Sequence, residues 1–492
     1  MHEMKIGVNV THVVLIGAKA NSWAWGLEQI QNLSAQPDNL VALDFGFEGS
    51  EKSNKRNEFQ SQFMAEHKVS WIRVNDIITK TIRQTVENQI KTHLSIMRKL
   101  DDWVSYEVDG LPLGRILMSN YARTVGTRNF PLRLLTHGMQ FKVSQQALTA
   151  LYVYREFAIP HGKISLSNGR SPIEAAVLHV ARNRGIQTRV LERGATTRQM
   201  FVYPTSPHYS PDWWEMLENV ASEVPQFELN QIAGAYWEKR LSGWDELSGR
   251  DWGKEFELGR LPKELPDKFV SFFCTSEHEV PVVASFECTN MGFASQQIAA
   301  KQLAVSCKKL NLPLVIKRHP NSIATDGVDR ESESWEWAKS LPGVTYIGPK
   351  TRVDTYALLK KTSAVVTFKS SVGVEATALG IPARSMGPAE WAFRKETRIW
   401  NELEVETFLL NPTKLINNEE KFWGYLASTF GRPLNVFSDI TGGYAVVNGE
   451  RFYSTDHYRS TTVKALDKLR RKFSRINSLL KSFLKGSRRH EN

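Results

Sequence analysis

Three apolar runs in the second half of the chain each end in groups that can do chemistry. The run 364–368 ends in Lys369-Ser370-Ser371, and Glu375 follows four residues after Ser371. Two serines that open a helix place hydroxyls beside unpaired backbone N–H groups at the positive end of the helix dipole, which makes an anion site. Glu375, one turn on, falls on the same face, where a carboxylate can take the diol of a ribose. The run 313–317 ends in Arg318-His319-Pro320. Proline fixes its own φ and disfavours helix before it, so the strand stops there with a guanidinium and an imidazole at its end. That pair can bind a phosphate, or stabilise and protonate a departing one. The run 269–274 is followed by Thr275-Ser276-Glu277. Taken singly, these are a capped helix, a turn histidine and a polar strand end. Recurring at three strand ends, they describe a pocket for a nucleoside phosphate.

Such groups need a scaffold that gathers strand ends. Apolar β-type runs alternate with helical patterns along the chain, the signature of α/β layering with parallel sheets. Strands are expected at 12–16, 40–45, 70–74, 132–136, 163–166 and 188–191. The stretch 206–261, rich in Trp, Glu and Pro, shows no clean strand and reads as helices plus a connecting segment. A new α/β unit begins with the strand 269–274 and continues through a helix at 295–310, a strand at 313–317, a helix at 353–361 and the strand 364–368. In open α/β sheets, ligands bind beyond the carboxyl ends of the strands. The expected architecture is two doubly wound halves facing a cleft. Residues 1–262 form the first domain, 263–457 the second and 458–492 a basic tail.

The 492 residues are too many for one core. A hydrophobic content of 41% with 23% charged residues is that of an ordinary soluble globular protein. The three cysteines, Cys274, Cys288 and Cys307, form no CxxC, which argues against a disulfide framework or zinc site and fits a reducing cytoplasm. The first residues read as a strand rather than a signal peptide, and no stretch approaches the roughly 18 apolar residues of a membrane span. The net charge of +11 sits mostly in a tail: residues 463–489 hold ten Lys or Arg against one acid, Asp467, leaving +2 for the rest. The nearly neutral body argues against nucleic acid. Within the tail, Val463, Leu466, Leu469, Phe473, Ile476, Leu480 and Phe483 recur every three or four residues. That pattern is an amphipathic basic helix, suited to an anionic membrane surface or to packing on the body.

The ordered pair strand–RHP and strand–SSxxxE resembles the bacterial capsule and surface-polysaccharide glycosyltransferases of the GT-B fold. The closest resemblance is to the capsular polysaccharide biosynthesis family that includes Kdo transferases. The HP and SS motifs are shared with bacterial sialyltransferases. A second match lies at 163–194, where Asn168-Gly169-Arg170, a helix, a strand and Glu192-Arg193-Gly194 are similar to the NGR … (E/D)xG pattern of the capsule family. The resemblance implies a GT-B enzyme with two Rossmann-like domains that takes a nucleotide-sugar donor, CMP-Kdo-like, and a glycan or lipid-linked glycan acceptor. His319 and Glu192 would carry the chemistry. Arg318, Pro320, Ser370, Ser371, Glu375, Ser276 and Glu277 would hold the donor, and Asn168, Arg170, Trp23 and Trp25 would line the acceptor side. Glu192 at a strand's carboxyl end also fits the need of glycosyl transfer for a base or nucleophile. Here Arg193 stands where sialyltransferases carry a second acid. Asp109, in Val108-Asp109-Gly110, ranks below Glu192. No DxD-type motif follows a strand, so neither metal nor cofactor is expected. The expected location is cytoplasmic, peripheral on the inner face of the cytoplasmic membrane. The alternatives are a sugar-nucleotide epimerase or hydrolase, and a non-catalytic component of capsule assembly or export.

Overall fold

The structure is a computed structural model describing residues 12–17, 20–34, 40–45, 54–96, 102–103, 105–125, 137–157, 162–194, 198–207, 210–242, 259–276, 293–323, 329, 331–414, 418–440 and 444–453. The strands of the first unit are β1 (His12–Ile16), β2 (Leu40–Asp44), β3 (Ser70–Arg73), β4 (Lys163–Ser167), β5 (Gln187–Arg193) and β6 (Gln199–Tyr203). Those of the second are β7 (Phe269–Phe273), β8 (Leu314–Lys317), β9 (Val344–Ile347), β10 (Thr362–Thr367) and β11 (Ala383–Ser385). The short strands β12 (Gly431–Pro433), β13 (Asp439–Ile440), β14 (Tyr444–Val447) and β15 (Glu450–Tyr453) follow. The first sheet runs β12-β6-β5-β4-β1-β2-β3 and the second β11-β10-β7-β8-β9. The second is parallel throughout, and the first is parallel from β5 to β3. The continuous burial of strands such as Phe-Val-Ser-Phe-Phe at β7 follows from this, because helices cover both faces of a parallel sheet.

Two units of doubly wound α/β structure result, as the alternating pattern implies. The expected strand at 132–136 and the basic tail at 458–492 lie outside the described residues. Seven strands escape the sequence pattern: β6, β9, β11 and the four short strands β12 to β15. β6 runs antiparallel to β5 between the expected strand at 188–191 and the stretch read as helices, and three of the four residues of β9 are only half-buried.

Within the expected second domain, 263–457, the residues that follow the second sheet pack on the first unit. After the second sheet, the return helix Glu419–Phe430 packs on the linker helix Gln226–Ser242, and β12 then joins the first sheet beside β6. Residues Phe437, Ile440, Ala445 and Phe452 enter the first unit's core beside Val14, Ile16 and Trp23. A buried carboxylate fixes this return: Glu28 accepts backbone N–H bonds from Asn435, Val436 and Phe437 at 2.7–2.8 Å. Burial raises its pKa against the pull of those three donors. The segment therefore belongs to the first unit, although in sequence it follows the second.

The same packing accounts for Trp23 and Trp25. Both lie on the helix Ala20–Leu33 and are buried. Trp23 donates to Gln60 Oε1 at 2.9 Å and meets Phe437 edge-on with ring centroids 5.4 Å apart. They are core residues and do not line the acceptor side, because the return segment covers them.

Candidate functional site

In the second sheet the chain leaves β7 for β8 and β9, then resumes at β10 on the other side of β7. The switch point, where open α/β sheets bind ligands, therefore lies between β7 and β10. Thr275-Ser276 stands after β7, His319 after β8 and Lys369-Ser370-Ser371 after β10. Ser276 Oγ and His319 Nδ1 are 3.0 Å apart, so a fully buried hydroxyl orients the imidazole. The backbone carrying Ser276 is itself clasped. Gln296 accepts from the Thr275 N–H and donates to the Thr275 carbonyl, both at 3.1 Å. Gln296 opens the helix Gln296–Lys309, which is capped by Ser295. On the other side, Pro320 starts one 3₁₀ turn, and the Ser322 N–H donates to the His319 carbonyl at 3.0 Å. The imidazole thus sits on a strand end fixed from both directions.

The serines divide their work differently from expectation. Ser371 is exposed and its side chain makes no capping bond, whereas Ser370 Oγ accepts from the Val372 N–H at 3.3 Å. The Ser370 carbonyl accepts from Trp391 Nε1 at 3.1 Å. The Trp391 ring lies so close over Gly373 that a Cβ there would approach it to 2.2 Å, which is why the helix Val372–Ala378 needs glycine at its start.

Two donor-side expectations are corrected. Successive strand-end residues point to opposite faces, so with His319 turned to the site Arg318 turns away. Its guanidinium is fully buried between Asp329 and Glu331, each 3.1 Å away, and lies over the Trp335 ring. It holds the sheet's far side and is not placed to meet a phosphate. Glu375 is also buried; it accepts from Arg240 of the linker helix at 3.0 Å, with Tyr356 beside it. The carboxylate faces the junction of the units instead of standing open for a ribose. Glu277 lies outside the described residues.

The cation that sequence reasoning passed over is Lys369. It is buried, paired with Glu390 at 2.9 Å and within 3.3 Å of Ser210 Oγ at the start of the first-unit helix Ser210–Glu223. Ser210 donates to the Pro388 carbonyl at 2.7 Å and Trp214 Nε1 to the Ala389 carbonyl at 3.0 Å. The two units therefore touch directly beside the end of β10. Lys369 precedes the serines in sequence, but nothing in the sequence reveals its partner on another element.

In the first unit the switch point lies between β1 and β4. Ser167 Oγ at the end of β4 is 3.0 Å from Glu174 Oε1 and 2.7 Å from Ser22 Oγ. A carboxylate only accepts, so Ser167 donates to Glu174 and receives from Ser22. The next residue, Asn168, adopts φ +57° and Gly169 φ +69°. This left-handed turn brings the Asn168 amide onto Glu192 Oε2, while Glu192 Oε1 accepts from the Arg193 N–H at 2.9 Å. Gly194 is required where β5 turns into β6, since a Cβ would come within 2.6 Å of the Gln199 backbone. Asn168 and Glu192 thus meet beyond the ends of adjacent strands, a contact the sequence did not foretell, and Arg170 is half-buried two residues before the helix Pro172–Asn183. Tyr203 ties this carboxylate to the junction. Its phenol is held well above the usual range by burial, then by Glu192, Tyr236 and Glu390. Asp109 instead forms a 2.7 Å ion pair with Arg155 on the first unit's surface.

Among the described residues no cluster of His, Cys, Asp or Glu could hold a metal, and no helix is long and apolar enough to cross a membrane. No family model matches the chain, and no curated protein matches it in sequence. Among solved structures it is similar to Thermosulfurimonas dismutans KpsC, beta Kdo 2,4 transferase, at 14% identity and a TM-score of 0.38, over 60% of this chain and 85% of that one. It is also similar to the KpsC beta Kdo 2,7 transferase of that organism, at 12% identity and a TM-score of 0.35, over 67% and 95%. A third is the Methanocaldococcus jannaschii UDP-GlcNAc 2-epimerase, at 10% identity and a TM-score of 0.31, over 85% and 98%. Likeness at this level does not bear on activity, and the fold is read from the two sheets themselves.

Proposed function

We propose that the protein is a GT-B glycosyltransferase that moves a sugar from a nucleotide-sugar donor to a glycan or lipid-linked glycan. The observation that carries this reading is the pair of strand-end groups on the two units: His319, set by Ser276, and Glu192, set by Asn168. As the acceptor oxygen bonds the anomeric carbon, Glu192 takes its proton. The bond from that carbon to the donor phosphate breaks, the phosphate keeps the electron pair, and His319 stabilises or protonates it. Ser370 and Ser371 border the same phosphate. The reading assigns no step to a metal, and the motif resemblance makes CMP-Kdo the first donor to try.

Incubation of the full chain with CMP-, UDP-, GDP- and TDP-sugars, with and without a bacterial glycolipid extract, tests the reaction. Acceptor-dependent nucleotide release with a product one sugar heavier is expected. Rapid release from donor alone would contradict transfer and identify a hydrolase or epimerase. The same reading places the protein at the inner face of the cytoplasmic membrane through the ten basic residues of 463–489, since each contributes roughly 1 kcal/mol near an anionic surface. Flotation with anionic liposomes at low and high salt, with the chain intact or ended after His457, tests that part. Equal flotation of both forms would contradict it.

A further inference from the structure

A cavity of about 630 Å³ at the β12 edge of the first sheet is used by none of the groups above. Gln199 and Phe201 of β6 form one wall, Gln231, Tyr236 and Lys239 of the linker helix another, and Ser428 closes it from the return helix. Its volume is that of a small-molecule site. Its position is set by strand register. Phe201 lies directly opposite Glu192 in the β5–β6 ladder, and opposed residues project from the same face with Cβ atoms about 5 Å apart. The cavity thus begins one side chain away from Glu192.

The lining matches a sugar. Phe201 and Tyr236 supply aromatic rings of the kind that stack on the C–H face of a pyranose, while the amides of Gln199 and Gln231 and the Ser428 hydroxyl can bond its hydroxyls. Lys239 adds a charge: it is exposed at this cavity and enters no ion pair among the described residues. We propose that this cavity is an acceptor subsite for an acidic sugar, with Lys239 pairing with a carboxylate on the ring that Phe201 and Tyr236 hold. Its role as an acceptor subsite rests on the glycosyltransferase reading; its binding of an acidic saccharide does not.

Methyl β-glucuronoside and methyl β-glucoside differ by one carboxylate and serve as probes for the full chain without nucleotide. Titration followed by saturation-transfer NMR should give a dissociation constant about fivefold lower for the glucuronoside, the size of one partly exposed ion pair. That preference should vanish in Lys239→Glu, a change at an exposed position, and persist in Lys239→Arg. Equal or undetectable binding of the two probes by the unmodified protein would overturn the proposal, as would an unchanged preference in Lys239→Glu. Stabilisation by nucleotides is measured on the same samples and should be unaffected by Lys239→Glu. If no nucleotide stabilises the protein while the glucuronoside preference stands, the glycosyltransferase reading fails and the saccharide site remains.

Discussion

His319 and Ser276 are 43 residues apart in sequence and 3.0 Å apart in the fold, so the imidazole's orientation depends on a hydroxyl from the neighbouring strand. His319→Ala should lower turnover by about 10²-fold or more with little change in melting temperature, because the side chain is only half-buried. Ser276→Ala should lower turnover less and shift its pH profile, because the ring loses its hydrogen bond to the Ser276 hydroxyl. Steady-state rates across pH, with thermal melts of each variant, check both. Elsewhere, a buried histidine lowers stability in acid. His93 packs against Trp103 and Tyr106, neither ring nitrogen has a hydrogen-bond partner, and burial lowers its pKa to about 4. The native state therefore binds fewer protons than the unfolded chain between pH 6.5 and 4, and stability falls as pH falls through that window. At pH 5 the loss from His93 is about 2 kcal/mol. Denaturant melts at pH 7 and 5 should show that loss shrinking in His93→Phe, whose ring suits the aromatic neighbours and cannot charge.

At the scale of elements, the return segment is held by one carboxylate. Glu28→Ala would leave three backbone N–H groups without this acceptor, that of Phe437 buried and those of Asn435 and Val436 partly so, and a buried orphaned donor costs about 1–3 kcal/mol. Partial relaxation keeps the total near ~3 kcal/mol, which denaturant melts of the variant can read. Hydrogen exchange should show the loss centred on 435–437; protection there equal to wild type would contradict the clip. None of this is visible in the sequence, because Glu28 and Asn435 are 407 residues apart and the clip is made by backbone. The strands that carry His319 and the serines were legible, since parallel strands buried on both faces leave unbroken apolar runs. β9 was not, because three of its four residues are half-buried and its pattern is mixed. Arg318 was misread for a related reason. Sequence places it at a strand end, but which face it takes depends on Asp329, Glu331 and Trp335 packing behind the sheet.

At the scale of the whole molecule, the units are joined by the Lys369–Ser210 contact, the Arg240–Glu375 pair and the return helix, all close to the candidate site. Arg240→Ala would leave a buried carboxylate unpaired. Loss of a buried partner costs about 3–5 kcal/mol, and since Arg240 is itself a quarter exposed the expected loss is ~2 kcal/mol in a denaturant melt. The central claim is that the ends of β7, β8 and β10 bind a nucleotide. Melting with CMP, UDP, GDP and TDP, for wild type, Glu192→Gln and His319→Ala, tests it most directly. At least one nucleotide should stabilise wild type and Glu192→Gln alike, by ~2.7 kcal/mol at 100 times its Kd, and should stabilise His319→Ala much less. Failure of all four to raise the melting temperature, or an equal response from His319→Ala, would contradict the account.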